Sequence, residues 1–341
     1  MTAELAIRGA IARLVEGYDL DEQEAAACME ELMTGAASPA QFGSFVTALR
    51  LKGETADEIT GMARVMREKS SHLDAGGELL DTCGTGGDGS GSFNVSTCAA
   101  FIAAGAGARV AKHGNRAMTS QCGSADVLEA LGAKIDLNPE QVEACIDEAG
   151  IGFMFAQAFH PAMKHVAAAR REIGIRTVFN LLGPLTNPAG ATCQVIGVAR
   201  EDLVETIAAV MQRLGSKRAL VVHGDDGFDE VSISGGSIIA ELTPDGVRTS
   251  RVTPEDAGLQ RHDVGALRGG TPEQNAAELR LVLEGAPGPL RDFALINASA
   301  ALIAWGSAPD LSAGVKLAAE SIDSGAAVAR LDAFVAASNG V

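Results

Sequence analysis

The feature that most constrains the fold is a change in hydrophobic pattern close to residue 79. Before this point apolar residues recur at helical spacing. After it, short apolar segments alternate with longer helical ones, which is typical of a mainly parallel sheet covered by helices. The sequence therefore predicts an α/β protein with a small N-terminal all-α domain, residues 1–72. A larger α/β domain follows, residues 73–341, with a mainly parallel central sheet flanked by helices.

Start signals and apolar segments place the individual elements. Capping boxes that start helices are predicted at Asp21 and Glu24, Ser38 and Gln41, Thr55 and Glu58, Asn138 and Gln141, and Thr271 and Gln274. Gly35 is expected to end the helix that Asp21 begins. The predicted strands are residues 79–83, 109–111, 151–155, 193–198 and 219–223. Residues 232–252 resemble antiparallel strands around Pro244-Asp245-Gly246.

Charge and cysteine usage argue against several classes of protein. The formal net charge of −17 opposes non-specific binding to nucleic acid. The six cysteines include no Cys-x-x-Cys pair, which argues against a zinc site and a disulfide framework. No segment has the length and apolar character of a bilayer span, and the start lacks the pattern of a secretory signal. We therefore expect a cytoplasmic protein with reduced cysteines and neither nucleic-acid nor membrane partners.

A glycine-rich segment follows the first predicted strand. It reads Asp81-Thr82-Cys83-Gly84-Thr85-Gly86-Gly87-Asp88-Gly89. Closely spaced glycines let backbone N–H groups converge on an anion, although a flexible strand-end turn is the alternative. Asn94-Val95-Ser96-Thr97 then opens a helix, where hydroxyls and a helix N-terminus suit a phosphate. An ordinary N-cap is the alternative there, and only the combination favours an anion site.

Charged motifs follow two other predicted strands. Lys112-His113-Gly114-Asn115-Arg116 is expected just beyond a strand, where α/β folds bind ligands, and not in the core. Asp225-Asp226-Gly227-Phe228-Asp229-Glu230 follows the strand at 219–223. Adjacent carboxylates suit Mg²⁺, which also uses water and substrate phosphate oxygens. Each motif alone could instead be a solvated charge cluster. The evidence for a ligand site is that the motifs occur together in one chain.

A further basic segment runs from His160-Pro161 through an alanine-rich helix to Arg170-Arg171. Arginine suits a carboxylate ligand because its planar fork donates two parallel hydrogen bonds. Adjacent arginines on a helix are more often surface charges. The residues alone do not choose between these alternatives.

The motifs, taken in order, resemble the signature of the anthranilate phosphoribosyltransferases. The matching segments are residues 84–88, 94–97, 112–116, Gly123-Ser124-Ala125-Asp126, Gly183-Pro184-Leu185-Thr186-Asn187-Pro188 and Asp229-Glu230. The similarity covers essentially the whole chain. It implies an enzyme of tryptophan biosynthesis that joins anthranilate to the ribose of phosphoribosyl pyrophosphate and releases pyrophosphate.

The resemblance also implies an architecture for the site. A substrate cleft is expected between the two domains, with a helical segment near residues 165–190 joining the helical domain. A homodimer is expected through that domain. The residues expected to surround phosphoribosyl pyrophosphate are Gly84, Gly87, Asp88, Ser92, Asn94, Val95, Ser96, Thr97, Lys112, His113, Gly114, Asn115, Arg116, Ala117, Met118, Thr119, Ser120 and Ser124.

By the same resemblance, Mg²⁺ is expected as the cofactor, held by Ser96, Asp229 and Glu230. Anthranilate is expected to contact Gly84, Asn115 and Arg170, with His113, His160 and Pro184 as further wall residues. Arg170 is preferred over Arg171 because of its spacing from His160-Pro161. No catalytic acid or base is assigned, since the aromatic amine is already nucleophilic.

Two segments depart from the family pattern. Gln121-Cys122 stands where many members have a serine-rich loop, and Ala156-Gln157 replaces an expected Ala-Pro. These departures bear on loop contacts and not on the reaction. The alternatives are a pyrimidine nucleoside phosphorylase of similar architecture, which has no need of the acidic pair, and a non-enzymatic relative that binds nucleic acid.

Overall fold

A computed structural model describes residues 6–86, 91–117 and 121–341. The α-helices are α1 (Ala6–Val15), α2 (Glu22–Thr34), α3 (Pro39–Lys52), α4 (Ala56–Glu68), α5 (Val95–Gly105), α6 (Ser124–Ala130), α7 (Pro139–Ala149), α8 (Ala156–Phe159), α9 (Ala167–Ile173), α10 (Val178–Leu185), α11 (Val204–Arg213), α12 (Pro272–Leu283), α13 (Pro289–Trp305), α14 (Leu311–Asp323) and α15 (Ala326–Gly340). The strands are β1 (Leu80–Gly84), β2 (Val110–Gly114), β3 (Ile151–Phe155), β4 (Cys193–Gly197), β5 (Arg218–Gly224), β6 (Ser237–Thr243) and β7 (Gly246–Val252).

The predicted fold class is confirmed, because an amino-terminal helical region precedes an α/β region built on a seven-stranded sheet. The strand order is β3-β2-β1-β4-β5-β6-β7. Strands β1 to β5 pair in parallel, while β6 and β7 are antiparallel. The last pair confirms the antiparallel segment predicted at 232–252. Because parallel strands end at one edge, the loops after β1, β2, β4 and β5 are brought together there.

The local helix signals are confirmed. The Asp21 side chain accepts from the Glu24 N–H at 2.8 Å, and the Glu24 side chain accepts from the Asp21 N–H at 3.0 Å. The same reciprocal bonds form at Ser38 and Gln41, Thr55 and Glu58, Asn138 and Gln141, and Thr271 and Gln274. Gly35 ends α2 with a φ of +77°, the left-handed conformation in which glycine is favoured. Each N-cap contributes about 1 kcal/mol to helix stability.

The second strand is longer than predicted. The sequence places it at 109–111, but the structure gives Val110–Gly114, so Lys112, His113 and Gly114 lie within the strand and not beyond it. Lys112 and His113 are buried, which also corrects the expectation that they lie outside the core. The prediction was wrong because polar residues were taken to end the strand. Hydrogen-bond partners from other segments compensate for the desolvation of both residues.

Apolar residues cover both faces of the sheet. Along β5, Leu220 and Val222 belong to a buried cluster with α5 and α13, whereas Ala219 and Val221 belong to one with α10 and α11. This alternation follows from the two-residue period of a strand. The second cluster also contains the cores of α2, α3 and α4. In the described ranges, no helix combines the length and apolar character needed to cross a membrane.

Candidate active site

The loop after β1 begins a turn whose first two backbone N–H groups, at Thr85 and Gly86, donate to other parts of the protein. The Thr85 N–H donates to the Gly197 carbonyl at 2.9 Å, and the Thr85 hydroxyl oxygen accepts from the Ala199 N–H at 3.3 Å. Gly86 has a φ of +63°, which a residue with a side chain adopts only with strain. The turn is thereby anchored to the end of β4. Gly87 and Asp88, which were predicted to bind substrate, lie outside the described residues.

Asp229 packs directly against this turn. Its carboxylate Oδ2 accepts a hydrogen bond from the Gly86 N–H at 2.7 Å. A Cβ atom at Gly84 would lie 2.4 Å from Asp229 Oδ2, and one at Gly197 would lie 1.5 Å from the Asp229 carbonyl oxygen. Glycine is therefore required at 84 and 197 by close approach and not by φ. The glycine turn and the acidic loop form one unit at the carboxyl edge of the sheet.

Lys112 lies in the interior beside the glycine segment, with 2% of its surface exposed. Its ammonium group donates to the Thr82 carbonyl and lies 3.4 Å from Ser96 Oγ. Burial lowers the pKa of Lys112, and the negative charges of Asp81 and Glu230 oppose that shift. The structure thus brings a buried cation next to Ser96, one of the predicted metal ligands.

Asp81 connects this region to the Gly183–Pro188 motif. It accepts from the His113 N–H at 3.1 Å and from Asn187 Nδ2 at 2.8 Å. Asn187 Nδ2 also donates to the Ala111 carbonyl at 2.9 Å. Burial raises the pKa of Asp81, while the Lys112 charge lowers it. Sequence reasoning assigned no role to Asp81 or Asn187, although both lie in segments that it singled out.

His113 and His160 form a buried pair, with ring centroids 5.0 Å apart. Burial and the neighbouring His160 ring lower the pKa of His113 to about 3, against a hydrogen bond to the Gly183 backbone. Burial lowers the pKa of His160 to about 4, against a hydrogen bond to the Thr186 backbone. Both rings are therefore neutral near pH 7.

The histidine ring atoms differ in their partners. Among the described residues, Nε2 of His113 and Nε2 of His160 have no hydrogen-bond partner. The bonds to the carbonyl groups therefore involve Nδ1, which carries the proton in the neutral ring. Each Nε2 is consequently a buried acceptor. The hydrogen-bond partners of both rings, the backbone of Gly183 and of Thr186, belong to the Gly183–Pro188 motif, in which Pro184 is also buried.

The start of α5 is built differently from a simple N-cap. Asn94 makes no side-chain cap bond. Its Oδ1 accepts from Asn275 Nδ2 at 2.7 Å, and its Nδ2 donates to the Cys122 carbonyl at 3.1 Å. The side chains of Val95 and Thr97 are buried. Of the four predicted residues 94–97, the structure places the Ser96 hydroxyl beside Lys112, and it gives Asn94 a role in holding the loop at Cys122.

The loop after β2 is held by Asp126, the second residue after Ser124. Its carboxylate accepts from the Ala117 and Gly123 N–H groups, each at 2.9 Å. Arg116 also donates to Asp126 at 3.1 Å, and its ion pair with Glu129 raises the Arg116 pKa. The positive charge of Arg116 is therefore balanced by two carboxylates. Met118, Thr119 and Ser120 lie outside the described residues.

Close packing explains the rest of this loop. Ser124 Oγ donates to the Asn115 carbonyl at 3.3 Å, and a Cβ at Gly114 would lie 2.2 Å from that hydroxyl. The Asn115 side chain accepts from the Arg116 N–H at 2.8 Å. Ser92, the remaining predicted residue, forms a β-bridge with Arg268. Of the departing segments, Gln121-Cys122 supplies the carbonyl that Asn94 binds, and Ala156-Gln157 starts α8.

The two neighbouring arginines of α9 have different environments. The Arg170 guanidinium stacks over the Phe179 ring at 5.8 Å, and burial lowers its pKa. Arg171 is exposed. This difference supports Arg170 as the arginine of the predicted acceptor site, because a half-buried guanidinium meets less competition from bulk water than an exposed one.

The described residues contain no cluster of three or more His, Cys, Asp or Glu side chains suited to a metal ion. Asp229 and Glu230 with the Ser96 hydroxyl are an all-oxygen set with only two carboxylates. Such a set fits Mg²⁺ that retains water and takes phosphate oxygens from a substrate. It does not fit a structural zinc site, which uses cysteine and histidine ligands. The six cysteines form no disulfide bonds in the structure.

Similarity to known proteins covers nearly the whole chain. Residues 8–70 match the glycosyl transferase family helical bundle domain, and residues 76–328 match the glycosyl transferase family a/b domain. An anthranilate phosphoribosyltransferase of Geobacter sp. (strain M21) is 54% identical over 98% of this chain and 99% of the relative.

Solved structures agree with the sequence comparisons. The anthranilate phosphoribosyltransferase of Thermus thermophilus has a TM-score of 0.92 and 47% identity, covering 97% of this chain and 99% of that chain. The Saccharomyces cerevisiae enzyme in complex with PRPP and Mg has a TM-score of 0.90 and 28% identity, covering 99% of each chain. The chain therefore belongs to this glycosyl transferase family and, within it, to the anthranilate phosphoribosyltransferases.

Proposed function

We propose that the protein transfers the phosphoribosyl group of 5-phosphoribosyl 1-pyrophosphate to the amine of anthranilate. The products are N-(5-phosphoribosyl)anthranilate and pyrophosphate, in a step of tryptophan biosynthesis. The observation that carries this proposal is whole-chain similarity to anthranilate phosphoribosyltransferases at 54% identity. Neither a nucleoside phosphorylase nor a nucleic-acid-binding relative is favoured, because the full-length relatives carry the anthranilate enzyme's name.

The proposed pyrophosphate site is the edge where the glycine turn, Lys112 and the acidic loop meet. The glycine turn and the buried Lys112 ammonium are proposed to stabilise the negative charge that develops on the leaving pyrophosphate. Their effect is strong because Lys112 is almost wholly excluded from water. The other residues expected around phosphoribosyl pyrophosphate, namely Ser92, Asn94 to Thr97, His113 to Ser120 and Ser124, are proposed to complete the pocket.

Ser96, Asp229 and Glu230 are proposed to hold Mg²⁺. When bound, the ion supplies positive charge to the pyrophosphate oxygens. Support comes from the all-oxygen character of the set and from the contact of Asp229 with the Gly86 N–H. The PRPP and Mg complex of the yeast relative is in keeping with the same choice of ion.

The acceptor site is proposed to contain Gly84, Asn115 and Arg170, with His113, His160 and Pro184 in its wall. Arg170 would pair with the anthranilate carboxylate through its planar fork. The histidines stay neutral at working pH, so their Nε2 atoms act as hydrogen-bond acceptors. An acceptor facing the amine can orient its lone pair toward the ribose carbon, which lowers the entropic part of the barrier. A strong general base is not required.

The division into residues 1–72 and 73–341, joined by the segment near 165–190, remains a proposal. The buried cluster in which α10 packs with α2, α3 and α4 supports the joining role of that segment. A homodimer through the helical region is also proposed. Val15, Tyr18 and Leu51 are largely exposed apolar side chains at the ends of the neighbouring helices α1 and α3. Sedimentation of the wild type and of Leu51→Glu tests the dimer. We also propose that the protein is cytoplasmic.

Steady-state kinetics with each substrate in turn test the proposed reaction. Consumption of anthranilate should require both phosphoribosyl pyrophosphate and Mg²⁺, and pyrophosphate should appear in equal amount. Cleavage of thymidine by phosphate, without any reaction of anthranilate, would replace this proposal by the phosphorylase.

A further inference from the structure

Helix α13 carries two buried polar side chains in its apolar second half. Between Phe293 and Trp305 only Asn297 and Ser299 are polar, and both are almost wholly buried. Asparagine is a poor helix former, and its amide is costly to bury without partners. We therefore expect the buried Asn297 amide to form hydrogen bonds with specific partners.

Those contacts are made with the acidic loop, residues 225–236 between β5 and β6. Asn297 Oδ1 accepts from the Val231 N–H at 2.9 Å, and its Nδ2 donates to the Val231 carbonyl at 3.0 Å. The other Nδ2 hydrogen is directed to the Phe293 carbonyl at 3.0 Å, one helical turn earlier. The side-chain amide thus occupies both backbone groups of a single residue. The amide therefore satisfies the N–H and the carbonyl of Val231 together, as pairing with a neighbouring β-strand would.

Val231 immediately follows Glu230 in the chain. On the preceding side, Asp229 is held by the Gly86 N–H and by the close approach of its backbone to Gly197. The acidic pair therefore lies between two anchors, one on the glycine turn and one on α13. Helix α13 in turn packs against β1, β4 and β5. The second anchor therefore holds the acidic pair in a fixed position relative to the sheet.

We propose that Asn297 is a positioning residue that fixes Glu230 and Asp229 in the geometry from which they bind Mg²⁺. The inference rests on the proposed function, because it assumes that this pair holds the metal. Partners behind the ligands of a metal site orient those ligands, and their loss commonly weakens metal binding about 10–100-fold. Asn297 acts one residue away from a ligand, through the backbone.

Ser299 provides a matched control on the same helix. Its hydroxyl is buried and donates to the Leu311 carbonyl at 2.8 Å, at the start of α14. Ser299→Ala removes a buried hydrogen bond from α13 without touching the acidic loop. If Asn297→Leu weakens metal binding only because the protein is less stable, Ser299→Ala should weaken metal binding to the same extent when its loss of thermal stability is comparable.

The experiment compares wild type, Asn297→Leu and Ser299→Ala in two measurements. Binding of Mn²⁺ in the presence of pyrophosphate is followed by electron paramagnetic resonance, and the Mg²⁺ concentration for half-maximal transfer is measured separately. For Asn297→Leu, both should shift about tenfold or more to higher metal concentration. The KM for anthranilate should stay within twofold. Ser299→Ala should leave both metal measurements at the wild-type value.

The outcomes separate the inference from the function on which it rests. Absence of anthranilate transfer in the wild type would overturn the proposed function and the inference with it. An active wild type with equal metal affinity in Asn297→Leu and Ser299→Ala would overturn the inference alone. If Asn297→Leu does not fold, Asn297→Ser is titrated instead. This side chain is too short to bridge both groups of Val231, so wild-type Mn²⁺ binding in this variant would equally overturn the inference.

Discussion

The carboxylate of Asp229 accepts a hydrogen bond from the backbone N–H of Gly86 at 2.7 Å, across 143 residues of sequence. This contact unites the acidic loop and the glycine turn at the carboxyl edge of the sheet. Neither loop is therefore an independent ligand site. A change in the turn should disturb the proposed metal ligands, and a change in the acidic loop should disturb the donors of the turn.

Gly86→Ala should reduce activity far more than stability. Gly86 has a φ of +63°, and no atom of the residues that the structure describes lies within 4 Å of the position that a Cβ would occupy, so the substitution adds backbone strain and no clash with them. Gly190 has the same φ of +63° and equally open surroundings, and it precedes the start of β4. Both alanine variants should lose roughly 1–2 kcal/mol of stability. Thermal melts and activity assays should find impaired catalysis only for Gly86→Ala; equal activity of the two variants would contradict a functional turn.

Lys112→Met should weaken the use of phosphoribosyl pyrophosphate. A charge-assisted contact to phosphate is worth ~1.5–3 kcal/mol, so the KM for this substrate should rise by roughly one to two decades. Stability should fall as well, because Asp81 loses the positive charge that opposes its desolvation. Adding Asp81→Asn should recover part of the stability without recovering substrate use. An unchanged KM in Lys112→Met would remove the lysine from the site.

Arg170→Ala should raise the KM for anthranilate selectively. The substitution leaves the glycine turn, Lys112 and the acidic loop intact, so the Mg²⁺ dependence should barely change. Loss of the stacking on Phe179 should cost about 0.5–1 kcal/mol of stability. Arg171→Ala is the control, because Arg171 is exposed on the same helix. Normal anthranilate kinetics in Arg170→Ala with a defect in Arg171→Ala would show that the wrong arginine was chosen.

The two buried histidines predict a loss of stability in mild acid. Their folded pKa values, about 3 for His113 and about 4 for His160, lie below the ordinary value of 6.5. The unfolded chain therefore binds more protons in this window, and the free energy of unfolding falls as the pH drops below 6.5. Each histidine contributes a slope of about 1.4 kcal/mol per pH unit. Above 6.5 the contribution is constant.

Denaturant titrations of the wild type and His160→Gln between pH 7.5 and 5 measure this slope. The variant should lose stability less steeply, because one of the two neutral rings has been replaced by an amide that does not titrate. Parallel curves for the two proteins would mean that His160 is protonated without cost in the folded state.

Local features of the fold could be predicted from the sequence. The capping box of Asp21 and Glu24 and the stop at Gly35 depend on residues three to four positions apart, so their signals are contained in short windows. The end of β2 could not be predicted in this way. Lys112 and His113 remain in the strand because Thr82, Asp81 and the Gly183 carbonyl satisfy them from distant segments.

The same distinction applies to the site. The motifs that converge were identified, and the family resemblance named their expected ligands. Their mutual contacts depend on the sheet order, which places β1 between β2 and β4. Asn275 was missed because the predicted capping box at Thr271 and Gln274 accounted for its segment, and Asn297 was missed because it is a single amide in a helix, without a motif around it. A buried asparagine in an otherwise apolar helical segment is the one signal that could have indicated Asn297.

The most direct test of the central claim is the fluorescence of anthranilate in the presence of the wild-type protein. On addition of phosphoribosyl pyrophosphate and Mg²⁺, the fluorescence should fall, with release of one pyrophosphate for each anthranilate consumed. Omission of phosphoribosyl pyrophosphate, or removal of Mg²⁺ with a chelator, should abolish the decrease. A folded protein that leaves anthranilate fluorescence unchanged with both components present would contradict the account.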